Sequence, residues 1–221
     1  MSFSILNVTQ LEFGSLLSYS PRGSSEKEDT SRSVRTALKE DHIISNPDVS
    51  MSQFVSNIVF EDMAILPFAN FFQVDPVLVP VPRSGLMKKD TLWVPDRLAK
   101  ALHKKGLGKG VAYCLERRFA LPKSATSSPQ MRPKAEDHYK SLEVHKIIVD
   151  PKEIILVDDV VTRGATLLGA ANKLKDSFPD ARIRAFAAMR TTGSEPTPFS
   201  RIYDPKKGDI TLNGHDTTRR P

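Results

Sequence analysis

The stretch that decides the fold reads IILVDDVVTRGAT and runs from Ile154 to Thr166. It opens with four consecutive apolar residues, a pattern typical of a strand that is buried on both faces of a parallel sheet. Two adjacent carboxylates, Asp158 and Asp159, follow the apolar run, and a short loop with hydroxyls and a glycine follows them. The stretch therefore predicts a strand that ends in two acids and then turns sharply.

The chain around this stretch alternates between helical and strand-like patterns. After the loop, apolar side chains recur at helical spacing, at Leu167, Ala170, Ala171 and Leu174. Residues 142–149 and 183–188 predict strands before and after this unit. Strands that alternate with helices predict an α/β fold, in which a parallel sheet is flanked by helices.

Weaker patterns predict the remaining elements. Apolar residues spaced by four predict earlier helices, which begin at Ser24 or Ser25, near Ser50 and near Val94. Short strands are expected at residues 112–115 and 210–212. Residues 118–140 carry three prolines and many cations and predict a long mobile loop, and residues 204–208 predict a turn.

Length and composition restrict the class of protein. The chain has 221 residues, of which 39% are hydrophobic and 26% charged, and this balance excludes an intrinsically disordered or fibrous chain. At about 100–200 residues per domain, the length predicts one domain with extensions or two small ones. Lysine and arginine outnumber aspartate and glutamate by 32 to 26, for a formal net charge of +6. A basic balance favours anionic partners, either nucleic acid or phosphorylated metabolites.

Three features predict a soluble, cytoplasmic protein. No apolar run approaches the roughly 20 residues that span a bilayer, so no membrane association is expected. The first basic residue is Arg22, so the chain lacks the basic start of a secretory signal. The single cysteine, Cys114, excludes a disulfide within the chain and a zinc site built from several cysteines.

The end of the predicted strand carries the chemistry. Ligands of open α/β sheets bind beyond the carboxyl ends of the strands. A loop that supplies N–H groups at a helix N-terminus suits a phosphate, and Gly164 allows a close approach. The acid pair suits sugar hydroxyls or a hydrated divalent cation. The combination predicts a ribose 5-phosphate pocket, and the alternative is a plain turn in which Asp159 or Thr162 caps the helix.

The quoted stretch resembles the motif that binds 5-phosphoribosyl 1-pyrophosphate (PRPP) in type I phosphoribosyltransferases, and it is most similar to the ComF-like branch. The shared pattern is an apolar strand, two acids, two apolar residues and Thr-x-Gly-x-Thr. The resemblance implies that Asp158 and Asp159 are the catalytic pair, which binds the ribose hydroxyls and holds Mg²⁺ through water. It also implies a 5-phosphate site made of Thr162, Arg163, Gly164, Ala165 and Thr166. Arg163 departs from the pattern, because many members have threonine or serine there.

Two further segments suit the same family. Residues 79–85 read VPVPRSG and resemble the strand and pyrophosphate loop that these enzymes place earlier in the chain. The resemblance implies a pyrophosphate site made of Arg83, Ser84, Gly85 and Lys88, with added charge from Lys89. Residues 117–140 lie where the family has a flexible hood that closes over PRPP, and the candidate lid contacts are Lys123 and Arg132.

The resemblance covers residues 77–190, about half of the chain. It implies a phosphoribosyltransferase-like core over residues 71–193 and a variable hood or cap formed by residues 1–70. The tail, residues 194–221, could join the hood. In this family the hood determines which base is the acceptor. The sequence therefore gives least information about the acceptor base.

The implied activity is transfer of the 5-phosphoribosyl group of PRPP to a nitrogenous base, with Mg²⁺ as cofactor and release of pyrophosphate. The transition state would resemble an oxocarbenium ion, so the reaction needs no nucleophilic side chain. Two alternatives stay open. One is a catalytically weak PRPP- or nucleotide-binding module of a DNA-uptake, DNA-processing or defence assembly, with a nucleic-acid or protein partner. The other is a nucleotide-binding effector that a partner protein switches, and a homo-oligomer is compatible with each reading.

Overall fold

The computed structural model describes residues 5–45, 48–88, 90–122, 131–145, 151–192 and 199–221. The helices are α1 (Glu26–Lys39), α2 (Met51–Glu61), α3 (Val94–Lys104), α4 (Ala135–Ser141) and α5 (Ala165–Ser177), with a 3-10 turn at Ala69–Phe71. The strands are β1 (Gln10–Tyr19), β2 (Ile43–Ile44), β3 (Val49–Ser50), β4 (Val77–Pro80), β5 (Gly110–Val111), β6 (Leu115–Arg117), β7 (Leu142–Val144), β8 (Glu153–Val161), β9 (Arg182–Thr191), β10 (Tyr203–Asn213) and β11 (Asp216–Arg220). None of the helices in these ranges is long and apolar enough to cross a membrane.

Within the described residues, seven strands form one sheet in the order β11-β10-β1-β9-β8-β4-β5. The strands from β1 to β5 in this order run parallel to one another, and β10 and β11 form an antiparallel hairpin at one edge. α4 and α5 pack on one face of the sheet, and α1, α2 and α3 pack on the other. The predicted α/β class, with a mostly parallel sheet flanked by helices, is confirmed.

β8 lies near the centre of the sheet and is apolar on both faces. Ile154 and Leu156 belong to the core shared with α5, whereas Ile155 and Val157 belong to the core shared with α2 and α3. All four side chains are fully buried. Because successive side chains of a strand face opposite sides, the apolar run correctly predicted a strand covered by helices on both faces.

Two helices begin where local sequence signals placed them. The Ser25 hydroxyl accepts a hydrogen bond from the Glu28 N–H, and the Glu28 carboxylate accepts one from the Ser25 N–H at 2.9 Å. Ser50 and Gln53 form the same reciprocal pair at the start of α2. These capping boxes satisfy N–H groups that a helix leaves unpaired at its start, and they settle the choice between Ser24 and Ser25.

The first strand differs from the expectation that residues 1–70 form a hood or cap. β1 lies inside the sheet, between β9 and β10. Ser15 and Ser18 interrupt its apolar pattern, yet both are buried. Ser18 donates to the Arg201 carbonyl at 2.8 Å, and Ser15 accepts from the Arg190 guanidinium at 3.3 Å. These partners are more than 170 residues away in the chain, so no local pattern indicates a buried strand here.

The tail also belongs to the sheet. Residues 204–208, for which the sequence predicts a turn, lie inside β10, and the expected strand at 210–212 is part of the same long strand. The pairing of β1 with β10 shifts its register at this point. A bulge in this place accommodates Pro205, which has no N–H to donate to the ladder.

The region between β4 and β8 differs in detail from its predicted pattern. The strand expected at 112–115 is replaced by β5 and β6, which lie before it and at its end. α4 occupies the last six residues of the predicted loop 118–140 and ends at Ser141, whereas residues 123–130 are outside the described residues. The strand expected at 142–149 begins as β7, and residues 146–150 are likewise outside the described part.

Packing above β1 gives a test of the fold. A Cβ atom on Gly14 would lie 2.6 Å from Cγ of Phe68, whose ring is fully buried. Because overpacking a core forces side chains and backbone to shift, we expect Gly14→Ala to lower the free energy of unfolding by about 1–3 kcal/mol. Denaturant unfolding followed by circular dichroism measures this loss.

Gly110→Ala is the matched control, because a Cβ on Gly110 has nothing within 4 Å. This variant is expected to unfold close to the wild-type midpoint. If Gly14→Ala were as stable as Gly110→Ala, β1 would not pack under Phe68 as described.

Candidate functional site

The acid pair lies at the carboxyl end of β8. Asp158 and Asp159 are among the last four residues of the strand, directly after Val157, which pairs with Pro80 of β4. On the other side, Asp158 pairs with Ala187 of β9. The pair therefore lies just beyond the end of β4 and near the carboxyl ends of β8 and β9, the edge at which open α/β sheets bind ligands.

The two carboxylates have different surroundings. Burial raises the pKa of Asp158 well above its ordinary value, and the neighbouring charge of Asp159 raises it further. The Asp158 carboxylate accepts a hydrogen bond from the Asp159 N–H at 2.9 Å. Asp159 accepts one from the Val160 N–H at 2.7 Å and pairs with the ammonium of Lys39 at 2.9 Å. The site thus holds one half-buried carboxyl with a raised pKa beside one carboxylate that has a cationic partner.

Lys39 is a site residue that the sequence did not reveal. It is the last residue of α1, and it lies 120 positions before Asp159 in the chain. The helix that contains it lies within the predicted hood, so part of that segment does reach the acid pair. A single lysine at a helix end carries no local signal of such a contact, because lysines are common there.

The loop after β8 brings a helix N-terminus to the same edge. Gly164 has a φ of +86°, and a Cβ there would lie 2.6 Å from Ile210 of β10, so both backbone conformation and space require glycine. α5 starts at Ala165, and no side chain among the described residues caps it. The alternative in which Asp159 or Thr162 serves as the cap is therefore wrong for the described structure. The first N–H groups of α5 remain available for an anion.

The C-terminal hairpin supports this loop from outside. The Arg163 guanidinium pairs with Asp216 of β11 at 2.5 Å and so does not turn toward the helix N-terminus. Arg219 of β11 donates to the Thr162 carbonyl at 2.8 Å and also to the Thr191 carbonyl. In a trans peptide a carbonyl and the next N–H point in opposite directions, so the Arg163 N–H faces away from Arg219.

The hydroxyls of the loop have partners within the fold. Thr162 and Thr191 lie with their side-chain oxygens 3.1 Å apart, and the Thr191 hydroxyl in turn lies 3.2 Å from that of Tyr19. Thr166 lies 3.3 Å from a ring nitrogen of His138. Burial, with a smaller contribution from Arg117, lowers the pKa of His138 to about 3, so its ring is neutral at neutral pH.

The second predicted loop begins beside the acid pair. The Val81 N–H donates to the Val157 carbonyl at 2.9 Å, which places residues 82–85 next to the end of β8. Arg83 and Lys88 are exposed, and the Arg83 guanidinium donates to the Leu92 carbonyl at 3.0 Å. Ser84 and Gly85 are half-buried between them, and Lys89 is outside the described residues.

The residues of the predicted lid, 117–140, differ in where they lie. Lys123 lies outside the described residues, and Arg132 is half-buried. Arg117, at the start of the expected lid, is instead buried in the fold, with 3% of its surface exposed. Residues 135–141 form α4 and pack on α5, where Gly169 allows close approach: a Cβ there would lie 2.5 Å from the Ala135 carbonyl oxygen. The two ends of the predicted loop are therefore parts of the core.

The donors at the acid pair suit a divalent cation bound mainly by its substrate. Mg²⁺ commonly keeps several waters and binds one or two carboxylates together with substrate phosphates. Asp158 and Asp159 offer such a pair. Across the described residues no group of three or more histidine, cysteine, aspartate or glutamate side chains could form a cage of protein ligands.

Comparison with known proteins gives likeness in structure and none in sequence. No family model matches the sequence, and no curated protein matches it. Among solved structures, the chain is similar to a hypoxanthine phosphoribosyltransferase from Staphylococcus aureus, with 14% sequence identity and a TM-score of 0.36. The likeness covers 77% of this chain and 78% of that one. It is too distant to carry an argument about the site.

The raised pKa of Asp158 predicts how stability depends on pH. Deprotonation costs the folded state more than the unfolded one, so stability falls as pH rises from the unfolded pKa of about 3.9 through the folded pKa. Asp158→Asn removes this cost and keeps an oxygen for the Asp159 N–H. We therefore expect the variant to melt at a higher temperature than wild type near neutral pH and to match it well below pH 4. Thermal unfolding followed by circular dichroism at both pH values checks this.

Asp180→Asn is the control for the same chemical change, because 83% of the Asp180 side chain is exposed. Its melting temperature is expected to match wild type at both pH values. A lower melting temperature for Asp158→Asn at neutral pH would contradict the desolvation of Asp158.

Proposed function

We propose that the protein binds PRPP together with Mg²⁺ and transfers its 5-phosphoribosyl group to a nitrogenous base, with release of pyrophosphate. The observation that carries this proposal is the position of the acid pair between two loops that follow adjacent strands. One loop opens α5, and the other, residues 81–85, follows β4. PRPP offers its groups in the same order, because its ribose hydroxyls lie between a 5-phosphate and a pyrophosphate on C1.

The N-terminus of α5 supports the 5-phosphate assignment. Its first N–H groups have no side-chain cap among the described residues, and a phosphate accepts hydrogen bonds from such groups. Thr162 and Thr166 add hydroxyls at the two ends of the loop. Arg163 would contribute through its backbone N–H, because its guanidinium is paired with Asp216.

The acid pair supports the binding of ribose hydroxyls. Asp159 already accepts hydrogen bonds from Val160 and Lys39. A carboxylate has about four lone-pair sites, so capacity remains for a hydroxyl donor. Asp158 lies beside it in a less hydrated position, where a hydrogen bond to the charged form is stronger than in water.

The same pair would hold Mg²⁺ through water. The bound cation would supply positive charge that stabilises pyrophosphate as it leaves. Asp158 and Asp159 would then serve two purposes, to orient the ribose and to fix hydrated Mg²⁺ near it. Neither purpose requires the acids to exchange a proton with the substrate.

Residues of this chain would act on the reaction by position and charge. The electron pair of the C1–O bond leaves with pyrophosphate while a base nitrogen approaches C1, through a transition state that resembles an oxocarbenium ion. Loops that grip the substrate at both ends hold C1 in one orientation toward the base. N–H groups and cations of residues 83–88 would stabilise the charge that develops on the leaving group.

The net charge of +6 favours one alternative, a nucleotide-binding module with little turnover in an assembly that handles nucleic acid. The similarity of the quoted motif to the ComF-like branch supports either reading. The two readings share the ligand site and differ in catalysis. A screen of nitrogenous bases for PRPP-dependent release of pyrophosphate separates them, because only the transferase releases pyrophosphate in a base-dependent manner.

The acid pair gives the sharpest test of ligand binding. If both carboxylates accept hydroxyl hydrogen bonds, Asp158→Asn combined with Asp159→Asn should weaken PRPP–Mg²⁺ binding strongly. Hydrogen bonds to charged groups contribute roughly 1.5–3 kcal/mol each. Loss of two predicts an affinity lower by about two to four powers of ten, at about 1.4 kcal/mol per power. Isothermal titration calorimetry measures the dissociation constant.

Asp180→Asn again serves as control and should bind PRPP–Mg²⁺ as wild type does. A purely electrostatic anion site predicts the opposite sign, because removal of negative charge reduces repulsion of the phosphates. If the folded double variant bound PRPP–Mg²⁺ equally well or more tightly, the ribose assignment would be wrong. A salt-dependent titration with DNA would then test the nucleic-acid alternative.

A further inference from the structure

Arg117, at the end of β6, is a buried cation whose hydrogen bonds go to the backbone of another loop. Its guanidinium donates to the carbonyls of Arg83 and Pro82, the latter at 3.4 Å, and to the Ser141 hydroxyl. Burial lowers its pKa to about 10, opposed by the charge of Asp158, so it remains protonated at neutral pH. A buried charge is costly unless it is fully hydrogen-bonded, and these three partners offset that cost.

The same side of the loop is held at a third carbonyl. The Leu121 N–H donates to the Ser84 carbonyl at 2.8 Å. The carbonyls of three consecutive residues, 82 to 84, are therefore turned toward residues 117–121. In trans peptides, the N–H groups of the next residues then face the opposite way. Those groups belong to Arg83, Ser84 and Gly85.

These three N–H groups are free to bind a ligand. Within the described part of the chain, none of them donates a hydrogen bond to the protein. Successive N–H groups that point into one concavity form an anion site. The loop begins beside the end of β8, because Val81 bonds to Val157, so this site adjoins the acid pair.

We propose that Arg117 is a positioning residue that holds this loop from behind and turns the N–H groups of residues 83–85 toward pyrophosphate. The inference rests on the proposed function, since pyrophosphate is the group that PRPP places there. Arg117 does not touch the ligand. It acts through the peptide groups of Pro82 and Arg83, because its planar guanidinium donates a hydrogen bond to the carbonyl oxygen of each.

The support extends to the other predicted phosphate loop. Ser141, which receives one hydrogen bond from Arg117, donates to the His138 carbonyl at 2.8 Å. His138 lies against Thr166 at the start of α5, and α4 packs closely on α5 at Gly169. The position of Arg117 is thus tied to the helix that opens the 5-phosphate site. Because α4 packs on α5 through contacts that do not involve Arg117, the loop before α5 keeps its support when Arg117 is replaced.

The inference is tested by the affinities for two separate fragments of PRPP. Pyrophosphate–Mg²⁺ reports on residues 83–85, and ribose 5-phosphate reports on the acid pair and the loop before α5. We expect Arg117→Lys and Arg117→Met to weaken pyrophosphate binding at least tenfold, which corresponds to about 1.4 kcal/mol. Binding of ribose 5-phosphate should stay within about threefold. Calorimetry gives both constants, and circular dichroism confirms that each variant is folded.

The lysine variant separates position from charge. Lysine keeps the positive charge near Asp158, but a single ammonium lacks the planar fork that reaches both carbonyls. Arg118→Met is the matched control, because Arg118 is adjacent, 64% exposed and paired at 3.3 Å with Glu143 on the surface. We expect this variant to bind both fragments as wild type does.

The outcomes distinguish the positioning role of Arg117 from the proposed function. If Arg117→Lys bound pyrophosphate as wild type does, or if both fragments weakened equally, the positioning role would be overturned while the proposed function stood. If wild type bound neither fragment, the proposed function would fail first. If neither variant folded, an NMR titration of wild type with pyrophosphate–Mg²⁺ would decide. Large amide shifts at residues 83–85 are expected, and their absence would overturn the inference.

Discussion

The sheet holds two adjacent carboxylates at the point where β8 changes from fully buried to half-buried. Upstream of Asp158 the strand is covered on both faces, and an unpaired charge there would be prohibitively costly. At Asp158 and Asp159 the strand is only half-buried, and α5 begins a few residues later with its positive N-terminus toward the same region. The part of β8 where a charged side chain costs less also lies close to the backbone N–H groups at the start of α5. The acid pair and the predicted phosphate loop are therefore consequences of one change in burial.

Both predicted anion loops depend on arginines that bind their carbonyls. Arg117 holds residues 82 and 83, and Arg219 holds Thr162 and Thr191. Each arginine comes from a strand outside the parallel core, β6 in one case and β11 in the other. Because carbonyls and N–H groups alternate in direction along the chain, support on one side presents donors on the other. Segments that look peripheral in the sequence thus decide the geometry of the site.

The charges at the two ends of the sheet contrast with each other. At the amino end, Arg184 is buried, pairs with Glu153, donates to the Asn70 carbonyl and lies over the Phe71 ring at 4.9 Å. Opposite charges there satisfy each other, which is the arrangement expected of a structural ion pair. At the carboxyl end, two like charges lie side by side, and burial raises the pKa of Asp158. An arrangement that costs stability in this way is typical of a functional site.

The sequence by itself determined the elements whose cause is local. The apolar run 154–157 required a strand buried on both faces, and helical spacing after Gly164 required a helix that starts next to the acids. Ser25 and Ser50 marked helix starts through contacts that span three residues. Tertiary structure alone decided the membership of β1 in the sheet, because its buried serines are satisfied by residues more than 170 positions away in the chain. It also brought Lys39, Arg117 and Arg219 to the site, since hydrogen bonds and ion pairs between distant segments leave no periodic trace in a sequence.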